Sequence, residues 1–284
     1  MAPFLLPEPP RLALRPLAIN VNTGYMGGIM SATNSKAGHT FLASLGKTRL
    51  RPGGVEATEW LFQQTPLNKN TQVLEIACNM ATTSIELAQR FGCQITAIDM
   101  DKMALQKARK NVAAEGLDQQ IRVFEASASR LPFPDETFDV IINEAMLTMY
   151  ADKAKMKFIG EYFRVLKPGG FLLTHDIMFT SDELGESDRT QLEQVVKSNV
   201  SPMSKSAWKE LFLQAGFIRV DTYNGEMSLM STSGLIKDEG IRGALKIVFN
   251  GLCKHKNRTR FLGMFRFFKA HRKQLNYIAC CSRK

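Results

Sequence analysis

Acidic and amide side chains close successive apolar segments in the first half of the chain. Glu75 lies in the first segment, Asp99 closes the second, and Asn143 and Glu144 close the fourth. A carboxylate that closes a second parallel strand is well placed to accept hydrogen bonds from both hydroxyls of a ribose. The loop after the first segment contains no Gly-Lys-Ser/Thr motif that would hold a triphosphate. These residues therefore predict a binding site for a nucleoside that carries little phosphate.

Short apolar segments alternate with helical patterns from residue 71 onward, and this alternation must position the polar side chains. The expected strands cover residues 73–77, 94–99, 121–124, 138–143, 171–174, 217–223 and 276–281. The expected helices cover residues 55–64, 84–91, 102–115, 154–166 and 204–215. Strands that alternate with helices form a parallel sheet covered on both faces, so the predicted fold class is α/β, doubly wound and mostly parallel. Such sheets bind ligands at the carboxyl ends of their strands.

The net charge of +10 is concentrated near the C-terminus of this 284-residue chain. Residues 237–284 hold 13 lysines and arginines against two acidic residues, whereas the rest of the chain is nearly neutral. Helical periodicity at residues 241–252 and 260–273 predicts two basic helices. The second helix places four apolar side chains on one face, namely Phe261, Met264, Phe265 and Phe268.

The composition divides the chain into three parts. Residues 1–34 include five prolines by position 16, and we expect them to form a flexible arm because they cannot supply a packed core. Residues 35–232 with 274–284 are expected to form the core, and residues 233–273 a basic helical insertion. We interpret the insertion as a lid whose apolar face packs on the core. The alternative is a surface that grips nucleic acid phosphates.

Several motifs in the predicted core agree with one known family in order and spacing. They are the loop with Glu75, Ala77, Asn79 and Ala81, then Asp99, then Leu131, Pro132 and Phe133 followed by Phe138 and Asp139, and finally the Arg-Val-Leu-Lys-Pro-Gly-Gly sequence at residues 164–170. In these motifs the chain resembles the class I S-adenosylmethionine-dependent methyltransferases. The resemblance implies a Rossmann-like, seven-stranded, mostly parallel sheet with an antiparallel C-terminal hairpin, to which the helical insertion is added.

The resemblance also implies S-adenosylmethionine as the cofactor and a set of residues that bind it. Glu75 and Asn143 would lie along its methionine part, Asp99 on the ribose, and the loop residues Ala77 and Asn79 beside it. Met100, Ser127 and Ala128 would surround the adenine, and Gly53 and Gly54 would meet the carboxylate at a helix N-terminus. Glu144 is the candidate catalytic residue, because a carboxylate in the cleft can orient an amine or accept a proton. No metal ligand is predicted.

The family's loop glycines are replaced in this sequence by Ala77, Asn79 and Ala81. Glycine suits such loops because it reaches positive φ without steric cost and permits close approach of a ligand. Asparagine tolerates the left-handed region better than alanine does. We therefore expect Asn79 to take any left-handed position and both alanines to avoid it.

The predicted function is methyl transfer to a small-molecule acceptor by in-line displacement. A nucleic acid methyltransferase that uses the basic helices, acting on RNA, and a non-catalytic scaffold with the same fold are the alternatives. No apolar run reaches the roughly 20 residues that a membrane-spanning helix needs, and five cysteines without Cys-x-x-Cys spacing argue against a disulfide scaffold. We therefore expect a cytoplasmic protein.

Overall fold

The computed structural model describes residues 38–181 and 186–284, which belong to one compact unit. The flexible arm that the sequence predicts for residues 1–34 lies outside the described residues. Within them the strands are β1 (Gln72–Ile76), β2 (Gln94–Asp99), β3 (Ile121–Glu125), β4 (Phe138–Glu144), β5 (Leu166–Phe179), β6 (Met203–Ser204), β7 (Arg219–Glu226) and β8 (Leu275–Arg283). The helices are α1 (Gly38–Leu45), α2 (Gly54–Gln63), α3 (Thr82–Phe91), α4 (Lys102–Ala114), α5 (Asp152–Val165), α6 (Glu186–Val196), α7 (Lys205–Gln214), α8 (Thr232–Leu252) and α9 (His255–Ala270).

The strands form one mixed sheet in the order β3-β2-β1-β4-β5-β8-β7, and the short β6 pairs with β5. Strands β1 to β5 run parallel in this order, whereas β8 is antiparallel to both β5 and β7. This architecture confirms the predicted fold class, including the antiparallel C-terminal strands. The strand order reverses between β2 and β4, on either side of β1, where doubly wound sheets open a cleft.

The register of the central strands brings the predicted polar residues to one edge of the sheet. Ile76 pairs with Asn143, and Glu144 pairs with His175. Asp99 ends β2 beside Glu125 of β3. Because these strands are parallel, the side chains that follow them share the carboxyl edge, as the sequence indicates.

Two helices of the fold were not among the sequence predictions. Helix α1 is short and precedes the alternating pattern, and α6 follows the long strand β5. Strand β5 begins at Leu166, whereas the sequence predicted a strand from residue 171. The Lys-Pro-Gly-Gly sequence lies within β5, where it forms an irregularity in the pairing with β4. Gly169 takes a φ of +75° at this point, which glycine adopts without strain.

Two helices lie between β7 and β8, where the sequence predicted the basic insertion. Helix α8 begins at Thr232, well before the helix that the sequence predicted from residue 241. Gly240, with φ 69° and ψ 171°, interrupts α8, and the predicted helix corresponds to the part after this interruption. Helix α9 begins at His255 and not at residue 260. Phe261 and Met264 of α9 are buried in a cluster with residues of α1 and α8, which attaches the insertion to the rest of the molecule.

Candidate active site

A cavity of about 450 Å³ opens at the carboxyl ends of the central strands. Five residues that the sequence singled out line it, namely Glu75, Ala77, Asn79, Asp99 and Glu144. The segment before α2 forms another wall through residues 48–51, and His39 of α1 also lines the cavity. We call residues 47–54 the cavity strap. The cavity beside the altered loop is therefore open and is not filled by the loop itself.

The loop after β1 adopts left-handed backbone at each position where the related proteins carry glycine. The φ angles are 56° at Ala77, 48° at Asn79 and 60° at Ala81. The expectation that both alanines avoid this region was therefore wrong. Left-handed backbone costs an L-residue roughly 1–2 kcal/mol, and the surrounding sheet and helix α3, for which Ala81 is the N-cap, hold the loop in this conformation.

Asp99 is fixed by the backbone on two sides. Its Oδ2 accepts a hydrogen bond from the Asn79 amide at 2.9 Å, and its Oδ1 accepts one from the Asp101 amide at 2.9 Å. Each carboxylate oxygen has a second lone pair, so the side chain can still accept hydrogen bonds from two further donors. This arrangement suits a vicinal diol in the cavity.

Glu75 is buried at the end of β1 and contacts the start of α3. Its Oε2 accepts hydrogen bonds from both the amide and the hydroxyl of Ser84. Burial raises the pKa of Glu75 to about 8, and nearby Glu144 adds to this rise while Ser84 and Arg51 oppose it. A cation bound beside Glu75 would lower this pKa and favour the ionised carboxylate.

Glu144 accepts hydrogen bonds from four side chains and is not free in the cavity. Arg51 Nη1 lies 2.5 Å from its Oε2, and Thr83 Oγ1 lies 2.7 Å from the same atom. Thr58 Oγ1 and His175 Nδ1 lie 2.8 Å and 3.2 Å from its Oε1. Burial by itself would raise the pKa of Glu144, but the Arg51 charge and the hydrogen bonds outweigh it and hold the pKa well below its usual range. The side chain is therefore a fixed carboxylate at neutral pH.

The two predicted glycines of the strap have structural contacts and do not line the cavity. The Gly53 amide donates to His175 Nε2 at 2.8 Å, which orients the buried imidazole toward Glu144. Gly54 has a φ of +56°, and a Cβ at this position would collide with the Asp238 carboxylate. Both positions exclude larger side chains, and the Gly53 contact holds His175 against Glu144, which lines the cavity.

The remaining predicted cofactor residues lie around the cavity without forming its wall. Met100 is largely exposed, Ala128 is buried, and Ser127 Oγ lies 2.9 Å from Ser129 Oγ. Asn143 is fully buried, with its Nδ2 3.4 Å from Met146 Sδ, and its Oδ1 has no hydrogen-bond partner in the part of the chain that the structure describes. The structure thus brings together the carboxylates and the loop, but leaves these four residues outside the cavity lining.

Arg51 is the principal site residue that the sequence analysis missed. It lines the cavity, only 4% of it is exposed, and its Nε and Nη2 make no hydrogen bond within the described residues. Glu86 Oε2 lies 3.8 Å from Nη2, so the guanidinium is paired with two carboxylates and forms a buried cation in the cavity wall. The only sequence signal is its position beside Pro52, Gly53 and Gly54, a composition that is typical of a turn.

Part of the cavity lining is less polar. It consists of Leu50 of the strap and of Met146, Met149 and Tyr150 after β4. His39 also lines the cavity, and its pKa is lowered by burial, although Asp99 and Asp101 partly oppose this effect. The lining therefore combines charged side chains, apolar side chains and a neutral imidazole.

Comparisons with known proteins agree with this geometry. A family model described as a methyltransferase domain matches residues 73–170. An uncharacterized protein of Haemophilus influenzae is 51% identical over 252 residues, which cover 88% of this chain and 98% of that protein. The 27-O-demethylrifamycin SV methyltransferase of Amycolatopsis mediterranei is 27% identical over 161 residues, 56% of this chain and 58% of that enzyme. The chain thus spans little more than half the length of this named methyltransferase.

A solved structure has the same fold. Phosphoethanolamine N-methyltransferase 2 of Haemonchus contortus, in complex with phosphomonomethylethanolamine and S-adenosylhomocysteine, superimposes with a TM-score of 0.68 at 20% identity, over 87% of this chain and 57% of that chain. From the matched motifs, the sheet and these relatives, the chain belongs to the class I S-adenosylmethionine-dependent methyltransferases. It is an enzyme of this class.

Two features are absent from the described residues. None of the helices in the ranges 38–181 and 186–284 is long and apolar enough to cross a membrane. No group of three or more histidine, cysteine or acidic side chains in the same ranges is arranged to hold a metal ion.

Proposed function

We propose that the cavity binds S-adenosylmethionine and transfers its methyl group to a small-molecule acceptor. The observation that carries this proposal is the arrangement of Asp99, whose two oxygens are fixed by backbone amides at the carboxyl end of β2 and face the cavity. Its remaining lone pairs would accept hydrogen bonds from both ribose hydroxyls. Ala77 and Asn79 keep the left-handed backbone that lets the loop approach the cofactor closely.

The polar end of the cavity fits the amino acid part of the cofactor. The Arg51 guanidinium, a buried cation in the cavity wall, would attract its carboxylate, a role that the sequence analysis gave to Gly53 and Gly54. Glu75 would accept hydrogen bonds from its ammonium group, and that positive charge would favour the ionised form of a carboxyl whose pKa burial raises. Asn143, Met100, Ser127 and Ala128 would contribute at the margin of the site.

When bound, the cofactor supplies a methyl group on a positively charged sulfur, which leaves as a neutral thioether. The chain's own contribution is to align the acceptor with that methyl group and to exclude water. The wall of Leu50, Met146, Met149 and Tyr150 suits an acceptor with an apolar portion. Glu144 would serve as a positioning residue, because it orients Arg51 and His175 and its low pKa makes it a poor proton acceptor.

The inserted helices would act as a lid on this site. Helix α8 packs against α1, which carries His39, and the buried Lys47–Asp238 ion pair at 2.8 Å joins α8 to the cavity strap. Closure or opening of the insertion would therefore change two walls of the cavity together. The small-molecule acceptor is supported by the relatives and structural neighbours of the chain, which include a rifamycin methyltransferase and a phosphoethanolamine methyltransferase. We further propose a reducing, cytoplasmic location, since all five cysteines are free thiols.

Calorimetric titration with S-adenosylmethionine and S-adenosylhomocysteine tests the cofactor site. Asp99→Ala should weaken binding of both at least tenfold, because it removes two charge-assisted hydrogen bonds worth roughly 1.5–3 kcal/mol each. Asp118→Ala, which changes an exposed acidic residue before β3, is the matched control and should bind normally. Unchanged affinity in folded Asp99→Ala protein would refute the placement of the ribose.

A further inference from the structure

Helix α8 presents an apolar stripe to solvent after its interruption at Gly240. Ile241, Leu245 and Phe249 follow one another at intervals of four residues and are 67%, 64% and 62% exposed. The opposite face of the same helix is buried through Ala244 and Ile247, which pack in the cluster shared with α1 and α9. The helix therefore already has its core-facing side, and the stripe is a second apolar surface that the described residues do not cover.

The stripe lies in a segment of one charge sign. Residues 241–273 contain ten lysines and arginines and no aspartate or glutamate. Arg242 and Lys246 are exposed on the helix beside the stripe, and Lys256, Arg266 and Lys269 are exposed on α9. A solvated lid surface needs neither three large exposed apolar side chains nor this complete absence of acidic residues.

We infer that α8 and α9 dock on the surface of an anionic lipid bilayer. Ile241, Leu245 and Phe249 would enter the boundary between headgroups and acyl chains, and the surrounding cations would contact lipid phosphates. This is binding parallel to the membrane plane, which requires no spanning helix. Binding to nucleic acid would account for the cations but not for the apolar stripe, because a phosphate backbone offers no apolar layer for an isoleucine and a leucine.

Charge also argues against two other occupants of the stripe. The N-terminal segment 1–37 carries Arg11, Arg15 and Lys36 against Glu8, so it does not complement a basic helix pair. A second copy of the chain would bring an equally cation-rich face to the same contact, and like charges in close apposition oppose association. An anionic lipid surface complements both the charge and the apolar stripe. This inference does not depend on the identity of the methyl acceptor.

Vesicle flotation with the full-length protein tests the inference. The probes are phosphatidylcholine vesicles with and without about 30 mol% phosphatidylglycerol, at physiological ionic strength, where lysines and arginines near an anionic surface still favour binding. We expect the protein to bind the anionic vesicles at least tenfold more tightly than the neutral ones. The triple change Ile241→Gln, Leu245→Gln and Phe249→Gln keeps good helix formers and should weaken this binding at least tenfold, as should Arg242→Glu with Lys246→Glu.

Controls separate this surface from general stickiness and from misfolding. Ile218→Gln changes an isoleucine that is 74% exposed outside the helix pair and should bind vesicles like the wild type. Thermal unfolding and S-adenosylmethionine affinity should be unchanged in the triple glutamine variant. The inference is overturned by equal binding to both vesicle types, by full binding of the triple variant, or by a wild-type dimer that this variant dissociates. It is also overturned if RNA or DNA binds more tightly than the vesicles and retains its affinity for the triple variant.

Discussion

The Arg51 guanidinium and the Glu144 carboxylate form a buried ion pair, with 2.5 Å between Nη1 and Oε2, that joins the strap before α2 to the end of β4. On its other side, Arg51 Nη2 lies 3.8 Å from the Glu86 carboxylate, and neither Nε nor Nη2 makes a hydrogen bond within the described residues. The arginine stabilises the cavity walls through Glu144. We propose that it also offers a fixed cation to a ligand, and mutations can separate these two roles.

The first prediction concerns this pair. Arg51→Met should lower the free energy of unfolding by about 3–5 kcal/mol, because it leaves the Glu144 carboxylate buried without its cation. Adding Glu144→Gln should restore much of that stability, whereas cofactor affinity should stay at least tenfold reduced in the double variant. Urea unfolding and calorimetry measure the two effects. Recovery of affinity together with stability would show that Arg51 acts through Glu144 alone.

Glu75 should make stability depend on pH. Its pKa of about 8 in the folded protein exceeds the ordinary value of 4.5, so between these values the folded state retains a proton that the unfolded state has lost. The free energy of unfolding should therefore decrease as pH rises from 5 to 8, by a few kcal/mol relative to Glu75→Gln, on the order of 1.4 kcal/mol for each unit of pKa shift. Urea unfolding at several pH values tests this. Asp118→Asn is the control, and its free energy of unfolding should depend on pH as that of the wild type does. Glu75→Gln should lose this dependence.

The altered loop gives a prediction about strain. Ala77 has left-handed backbone and is only partly buried, so Ala77→Gly should relieve about 1 kcal/mol of steric cost while adding a comparable or smaller entropic cost. We expect stability to be unchanged or higher by up to about 1 kcal/mol. Ala113→Gly, at an exposed position in α4, should instead lose about 0.5–1 kcal/mol. If both variants lost the same stability in denaturant titrations, the strain assigned to Ala77 would be absent.

The stability of the protein should depend on the apolar face of the insertion and not on its exposed charges. Phe265 packs against the cluster of α1, α8 and α9, so Phe265→Asp should destabilise the protein by about 2 kcal/mol or more. Reversing both Arg266 and Lys269, which are exposed, should change stability by less than about 0.5 kcal/mol. Thermal unfolding compares the variants. The opposite ranking, or salt-sensitive RNA binding that the two reversals abolish, would favour a nucleic acid function over a lid.

Much of the fold could be predicted because its signals are local. The strand at residues 94–99 was predicted with its observed bounds, since an apolar run ending in an acid and followed by a capped helix leaves little choice. Helix α1 was missed because eight residues give too short a periodic pattern, and its apolar side chains acquire a partner only when α8 folds over them. The start of α8 was missed because Gly240 separates two short helical patterns.

The site residues at strand ends could be predicted from the sequence, whereas those that depend on contacts between distant parts of the chain could not. Glu75, Asp99 and the loop follow from strand-end positions, which the sequence pattern locates. Arg51 does not, because its importance comes from contacts with Glu144 and Thr83, which lie 93 and 32 positions away. The torsions of Ala77 and Ala81 were also mispredicted, because intrinsic preference was given more weight than the fixed path between β1 and α3.

The attachment of α8 to the cavity strap has a consequence for how the molecule opens. The amides of Thr48 and Arg49 donate to the Glu239 carboxylate, and the Val55 amide donates to Asp238. We expect these three amides to exchange their hydrogens with solvent when α8 separates from the strap and from the start of α2. Local opening of the inserted helices and local opening of the cavity should therefore be one cooperative event. A ligand that binds in the cavity should slow exchange in a helix that it does not touch.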